Sequence, residues 1–176
     1  LGDKIEARAA MEAAGLPTAK GSSESISSAA VASKLADEIG YPVIIKAAAG
    51  GGGIGMQIVH AEGEFEGALK ICQSRAKSAF GDDRVFVEKY IQGAQHVEFQ
   101  VLGDGEKAIH FGERFCSIQR RHQKLVEEGP WLSEEKRAEI GSLVCAGAES
   151  VGYKGLATFE FLRDKNGDFY FLEVNP

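Results

Sequence analysis

The feature that most constrains the fold lies near the end of the chain, where two short apolar runs flank Asn166-Gly167. Asn-Gly between such runs is the strongest short-range signal for a β-hairpin. A turn centred on these residues places Glu160 opposite Glu173. It also places Thr158 opposite Asn175. Side-chain alternation puts these four residues on one face. The other face, which can pack a core, carries Phe159, Phe161, Leu172 and Val174.

The predicted pairing of Glu160 with Glu173 has an electrostatic consequence. Two carboxylates directly opposite each other are unfavourable in a sheet, and desolvation adds to their repulsion. A hard divalent cation would compensate them, and Mg²⁺ prefers one or two carboxylates together with phosphate oxygens. A solvated sheet face with two unpaired glutamates fits the same pattern, and a one-residue slip would separate the two side chains.

A second feature is the glycine run at residues 50–55, which lies between two apolar segments at 43–47 and 56–59. These segments predict two strands joined by a mobile tip. Glycines let backbone N–H groups approach an anion, and Lys46, at the end of the first strand, can pair with phosphate charge. The P-loop pattern is absent, because a strand follows the glycines. A flexible linker is the alternative, but apolar strands rarely frame a linker.

The remaining periodicity predicts an α+β fold. Helices are expected at residues 3–14, 29–39, 64–80 and 133–151, and further strands at 85–89, 96–102, 107–116, 155–162 and 169–174. Between them lies a basic segment, in which Arg120, His122 and Lys124 share one side of an extended stretch. Stacked cations invite an anion, although a solvated patch neutralised by neighbouring glutamates fits equally well.

Composition excludes several classes of protein. The net charge of -6 argues against nucleic-acid binding. Three scattered cysteines suggest neither a disulfide framework nor a zinc site, which favours a reducing, cytoplasmic compartment. No apolar run approaches the roughly 20 residues that span a bilayer, so no membrane partner is expected. Both ends of the chain resemble cut ends, and we expect a piece of a longer protein.

Seven segments form a recognisable series. They are Gly2-Asp3-Lys4, Tyr41-Pro42-Val43-Ile44-Ile45-Lys46 with its glycines, Glu88-Lys89-Tyr90-Ile91, His96-Val97-Glu98, Cys116-Ser117-Ile118-Gln119-Arg120-Arg121-His122-Gln123-Lys124, Thr158-Phe159-Glu160-Phe161-Leu162 and Glu173-Val174-Asn175.

Together these segments resemble the biotin carboxylase component of biotin-dependent carboxylases, such as acetyl-CoA, propionyl-CoA or pyruvate carboxylase, within the ATP-grasp superfamily. The resemblance implies an α+β ATP-grasp fold that holds nucleotide between a small glycine-flap lobe and a larger antiparallel sheet. It implies an N-terminal helix and linker at 1–20, the small lobe at 21–90, and the larger lobe at 91–176, incomplete at its end. The implied reaction uses ATP to convert bicarbonate into carboxyphosphate, from which biotin is carboxylated.

The resemblance also implies roles for individual residues. Catalysis is assigned to Lys46 and Lys124, the latter meeting bicarbonate. Two Mg²⁺ or Mn²⁺ ions are assigned to Glu160, Glu173 and Asn175. The nucleotide-binding set is Lys4, Lys46, Gly52, Gly53, Glu88, Lys89, Tyr90, Ile91, His96, Gln119, His122, Glu160 and Leu162.

The implied partners are bicarbonate, biotin on a carboxyl carrier domain or protein, and flanking domains of the same chain. The parent is expected to be a homo-oligomer in the cytoplasm, or in the mitochondrial matrix of a eukaryote. Ile54 departs from the arginine or lysine usual at the flap tip. The glutamate base for bicarbonate is expected beyond Pro176, so this piece alone should be inactive. The alternatives are another ATP-grasp ligase, resembling carbamoyl phosphate synthetase, and a non-catalytic nucleotide-binding module.

Overall fold

The structure is a computed structural model that describes residues 2–26, 28–50, 53–120 and 123–176. Gly52 and His122, both predicted to bind nucleotide, lie outside the described residues. The helices are α1 (Lys4–Ala13), α2 (Ala29–Ile39), α3 (Phe65–Phe80) and α4 (Glu134–Ser150), with a short 3-10 turn at Glu62–Glu64. The strands are β1 (Val43–Ala47), β2 (Gln57–Val59), β3 (Val85–Lys89), β4 (Gln95–Asp104), β5 (Ala108–Arg120), β6 (Gln123–Glu128), β7 (Lys154–Arg163) and β8 (Phe169–Asn175).

Helix ends follow the capping residues that the sequence provides. The Asp3 carboxylate accepts the Ile5 N–H at 2.9 Å at the start of α1. The side chains of Ser28 and Ser133 cap α2 and α4 in the same way. Gly81 ends α3 in the left-handed conformation that a glycine adopts most readily. Among the described residues, no helix is long and apolar enough to cross a membrane.

One compact unit is built mainly from Asp3–Ile5 and Ala19–Ile91. Its antiparallel sheet has the order β2-β1-β3, so the predicted glycine hairpin of β1 and β2 is confirmed. The central strand β1 is almost wholly buried and packs with α2 and α3 into one core. In the connecting loop, the described Gly50, Gly53 and Gly55 all have positive φ, a conformation that other residues adopt with strain.

The other unit is built mainly from Glu6–Thr18 and Gln92–Pro176. Its antiparallel sheet has the order β6-β5-β4-β7-β8. One face packs against α4 and the apolar side of α1. The core contains Met11, Val97, Phe99, Val101, Val144, Phe159 and Phe161. This leaves the opposite face, which carries His96 and Glu98, available for a site.

The β7–β8 hairpin confirms one part of the prediction and corrects another. Glu160 pairs with Glu173, and Thr158 with Asn175, as predicted. Leu172, however, is not a core residue: it is only half-buried, and Phe171, 4% exposed, takes the core position. A β-bulge between the Glu160 and Phe161 pairings causes this change.

The bulge follows from a turn that is wider than the predicted two-residue turn. Arg163 pairs with Phe169, which leaves residues 164–168 in the loop. The Asp164 carboxylate stabilises this loop by accepting the N–H groups of Asn166 at 2.8 Å and Asp168 at 3.0 Å. The extra residue in β8 then restores the pairing of Glu160 with Glu173.

Candidate functional site

A row of charged residues crosses four neighbouring strands on the face of the larger sheet opposite α4. Glu98 on β4 pairs with Arg114 on β5 and with Glu160 on β7, and Glu160 pairs with Glu173 on β8. Glu98 is 1% exposed and Glu160 is 5% exposed. Three carboxylates side by side in a sheet are destabilising unless cations or hydrogen-bond donors compensate them.

Protein side chains compensate two of them, Glu98 and Glu160. The Lys124 ammonium donates to Glu160 Oε1 at 2.7 Å and also binds Glu98 Oε2. Arg114 Nε donates to Glu98 Oε1 at 2.7 Å, and Asn175 Nδ2 donates to Glu160 Oε1 at 2.7 Å. Lys124 therefore compensates part of the negative charge of Glu98 and Glu160. A divalent cation at Glu160 and Glu173 stays a prediction.

His96 completes the surroundings of Glu160. Its Nε2 atom lies 2.8 Å from Glu160 Oε2 but is poorly aligned for a hydrogen bond, so the contact is a close polar approach. Burial alone would raise the pKa of Glu160, but His96 and Lys124 together lower the pKa to about 2. Burial would lower the pKa of Lys124, yet Glu160 and Glu98 raise the pKa above its usual value. Both Lys124 and Glu160 are therefore charged at neutral pH.

The donor set on β7 and β8 fits a hard divalent cation. Glu160 and Glu173 bring carboxylates from paired positions, and Asn175, next to Glu173 on the same face, brings an amide. Oxygen ligands of this kind suit Mg²⁺. The ligand atoms of His96, Glu98 and Glu160 also lie within 4.8 Å of one another, and so do those of Glu98, Cys116 and Glu127.

The smaller unit holds a buried ion pair between two predicted site residues. Lys46 Nζ lies 2.9 Å from Glu88 Oε2, and both side chains are less than a tenth exposed. The ammonium also lies 5.3 Å from the centre of the Phe86 ring. Glu88 therefore fixes the direction of Lys46. In the adjoining glycine loop, Gly53 has a φ of 78° and Ile54 is half exposed.

The segment predicted to contact adenine, residues 88–91, is anchored both by the Lys89 side chain and by backbone hydrogen bonds. Lys89 Nζ donates to the carbonyls of Gly40 at 2.8 Å and Tyr41 at 3.1 Å, so this ammonium supports the end of α2. The Lys89 N–H donates to Lys20, and the Tyr90 N–H donates to Pro42. Ile91 follows directly, half-buried. Lys4, the first residue of α1, donates its N–H to Ala48 at 2.9 Å.

Two further predicted residues lie near the charged row. Leu162 on β7 is half-buried and pairs with His96. Gln119 on β5 pairs with Lys124, but its amide donates to the Cys116 carbonyl at 2.8 Å. The structure thus brings His96, Lys124, Glu160, Glu173 and Asn175 together in the larger unit, and Lys46 with Glu88 in the smaller one.

Sequence reasoning assigned no role to Glu98 or Arg114. The alternation that buries Val97 and Phe99 had placed Glu98 on the polar face, but gave it no partner. Its partners are Arg114 on β5, the neighbour of β4, and Lys124 on β6, the next strand beyond β5, and only the sheet order brings them close to Glu98. The sequence signal that could have identified Glu98 is a charged residue between two core positions, Val97 and Phe99, of a long strand.

The family described as "Carbamoyl-phosphate synthase L chain, ATP binding domain" matches residues 3–176. A curated biotin carboxylase from Allochromatium vinosum is 50% identical over 99% of this chain and 40% of that protein. The crystal structure of a biotin carboxylase–beta-gamma-ATP complex from Campylobacter jejuni matches with a TM-score of 0.96 and 50% identity, over 99% of this chain and 40% of that one. A third relative is the biotin carboxylase domain of the Hydrogenobacter thermophilus 2-oxoglutarate carboxylase, solved with MgADP, ADP and bicarbonate. Its TM-score is 0.95 and its identity 46%, over 99% of this chain and 39% of that one.

These comparisons confirm the expected ATP-grasp fold and the resemblance to biotin carboxylases. The chain spans about 40% of the length of the curated relative. From the match of residues 3–176, the chain belongs to the family of carbamoyl-phosphate synthase L chain ATP-binding domains.

Proposed function

We propose that this chain is the ATP- and metal-binding portion of a biotin carboxylase, which uses MgATP and bicarbonate to carboxylate biotin through carboxyphosphate. The observation that carries the proposal is the cluster around Glu160, where Lys124, His96 and Asn175 converge on one buried carboxylate. Identity of 50% over 99% of the chain to a biotin carboxylase supports the same assignment.

The metal ligands in this proposal are Glu160, Glu173 and Asn175, holding two Mg²⁺ or Mn²⁺ ions. Bound there, such ions would neutralise phosphate charge during phosphoryl transfer. The pairing of β7 with β8 holds the Glu160 and Glu173 carboxylates at a fixed spacing. Lys124 and His96 hold Glu160 in its charged form, the form that binds a cation.

The phosphate ligands are Lys46 and Lys4, with Gly52 and Gly53 closing over the nucleotide. Glu88 supports Lys46 through the buried ion pair, so the ammonium is oriented before a phosphate arrives. Lys89, Tyr90 and Ile91 address the adenine through backbone groups, since the Lys89 ammonium is already bound to two carbonyls. The rest of the nucleotide contacts are assigned to His96, Gln119, His122 and Leu162.

Lys124 is proposed to meet bicarbonate. Its ammonium lies on the same sheet face as the metal ligands, and the side chain is one quarter exposed, so a small anion can reach it. Biotin is the carboxyl acceptor, carried on a carrier domain or protein, and flanking domains of the parent chain supply the remaining catalytic groups. A homo-oligomeric parent in the cytoplasm belongs to the same proposal.

The test is carried out on the longer parent protein that includes the flanking regions. ADP formation should require both bicarbonate and biotin, and Lys124→Met should abolish it while the protein stays folded. The 176-residue chain should bind MgATP weakly without turnover.

ADP formation that required ammonia instead of biotin would contradict the assignment. It would favour a carbamoyl-phosphate-type ligase, the activity after which the matching family is described. Nucleotide binding without any turnover by the parent would favour a binding module.

A further inference from the structure

The Lys124 ammonium donates to two carboxylates, Glu160 and Glu98, which differ in their proposed function. Glu160 Oε1 accepts from Lys124 Nζ at 2.7 Å, and Glu98 Oε2 is the second acceptor. In the proposed function Glu160 binds metal, whereas Glu98 has no assigned role. The two pairings therefore cease to be equivalent once a divalent cation is present.

The Glu98 carboxylate is buried and held in one orientation by its hydrogen-bond partners. Its side chain is 2% exposed. Its two oxygens have separate partners, because Oε1 accepts from Arg114 and Oε2 from Lys124. Arg114 is itself held by Gln100, whose Oε1 accepts from Nη1 at 3.1 Å. A carboxylate bound at both oxygens in a buried strand keeps one orientation.

We propose that Glu98 is a positioning residue for Lys124, and that its carboxylate keeps the ammonium on the site face when a divalent cation engages Glu160. This inference rests on the proposed function. An ammonium and a divalent cation repel each other, and both would bind the Glu160 carboxylate. Because Glu98 is a second acceptor, Lys124 can leave Glu160 without becoming a half-buried, unpaired charge.

The consequence is a coupling between Glu98 and Lys124 in metal affinity. Without the Glu98 carboxylate, Glu160 is the remaining acceptor that the described residues offer to Lys124. Lys124 then stays on Glu160 and opposes the metal more strongly. Removing Lys124 should therefore improve metal affinity more in the absence of the Glu98 charge than in its presence.

A double-mutant cycle measures this coupling. Mn²⁺ is titrated in the presence of ADP into the chain and into Glu98→Gln, Lys124→Met and the double variant, and free Mn²⁺ is followed by electron paramagnetic resonance. We expect Lys124→Met to lower the Mn²⁺ Kd in both backgrounds. The factor by which it lowers the Kd should be about tenfold larger when Glu98 is replaced by Gln. A purely structural role of Glu98 would weaken binding equally in both backgrounds.

Glu127→Gln is the matched control. It removes a carboxylate that lies 3.2 Å from Arg114 Nε and is 44% exposed, and its described ion pair is with Arg114. Its coupling to Lys124 should stay below about twofold. Glu98→Asp keeps the charge on a shorter side chain and serves if Glu98→Gln fails to fold; its coupling should lie between the two.

Two outcomes overturn the inference in different ways. If the chain binds Mn²⁺ with ADP but the Lys124→Met effect is the same in the Glu98 variants as in the parent sequence, Glu98 does not position Lys124, and the proposed function survives. If the unsubstituted chain shows no Mn²⁺ binding with ADP, the proposed metal site itself is wrong, and this inference is wrong with it.

Discussion

Glu113 provides a quantitative test of how the larger unit is held together. It lies on β5 and accepts the N–H groups of Trp131 and Leu132, each at 2.7 Å. Arg137 of α4 donates to it through Nε at 2.6 Å and through Nη2 at 3.1 Å. The Glu113 side chain is fully buried. Its hydrogen bonds link both the loop before α4 and α4 itself to β5.

The size of this contribution follows from the pKa of Glu113. Burial would raise the pKa, but the bonds from Arg137, Leu132 and Trp131 lower it from 4.5 to about 2. A depression of roughly 2.5 units at about 1.36 kcal/mol per unit gives about 3 kcal/mol of stability at neutral pH. Because the folded pKa is the lower one, this stability is complete above about pH 4.5 and is lost as the pH falls towards 2. About 2 kcal/mol of it should be gone at pH 3.

The assay is urea unfolding of Glu113→Gln and of the parent sequence at pH 7 and pH 3. Trp131, the single tryptophan of the chain, contacts Glu113 through its backbone and reports unfolding by fluorescence. We expect Glu113→Gln to lower the free energy of unfolding by about 3 kcal/mol at pH 7, and by about 1 kcal/mol at pH 3.

The control for this experiment is Glu139→Gln on α4. Glu139 is 57% exposed and forms a surface pair with Lys136, so its loss should change stability by less than about 0.5 kcal/mol at either pH. An equal loss for Glu113→Gln at pH 7 and pH 3, or a loss below about 1 kcal/mol at pH 7, would refute the reasoning.

Three further changes test the packing. Gly141→Ala should destabilise the chain by about 1–3 kcal/mol in thermal unfolding, because the new Cβ would lie 2.4 Å from His110 Nε2; a gain in stability would contradict this. Lys46→Met should cost about 3–5 kcal/mol in urea unfolding, because it removes the ammonium paired with buried Glu88; a loss below about 1 kcal/mol would show that the pair is unimportant. Phe171→Ala should cost about 3–5 kcal/mol by the same measurement if the bulged register is correct, and a minor effect would favour the unbulged hairpin.

Local sequence signals predicted the elements well where a capping or turn residue acts on its own neighbours. Ser28, Ser133 and Gly81 end or begin helices for reasons that depend on a few adjacent residues. Strand β6 was expected only as an extended segment. It is a polar edge strand, and its pairing depends on β5 instead of on an apolar pattern of its own.

The hairpin register shows where local reasoning fails. Asn166-Gly167 indicated a tight turn, but Asp164 closes a wider loop and the core selects Phe171 over Leu172. The site residues likewise fall into those that local sequence patterns predicted and those that depend on tertiary structure. Alternation brought Glu160, Glu173 and Asn175 to one face, whereas the contacts of Glu98 and the Lys46–Glu88 pair depend on the order of strands in each sheet.

The measurement that tests the central claim most directly is calorimetry of MgATP binding to the chain and to Glu160→Gln and Glu173→Gln. Loss of either carboxylate should weaken MgATP binding by about tenfold or more, since a hard cation depends on its charged oxygen ligands. Glu106→Gln, in the exposed β4–β5 turn, should bind as the parent sequence does. Unchanged MgATP affinity in both the Glu160 and Glu173 variants would contradict the proposed metal site.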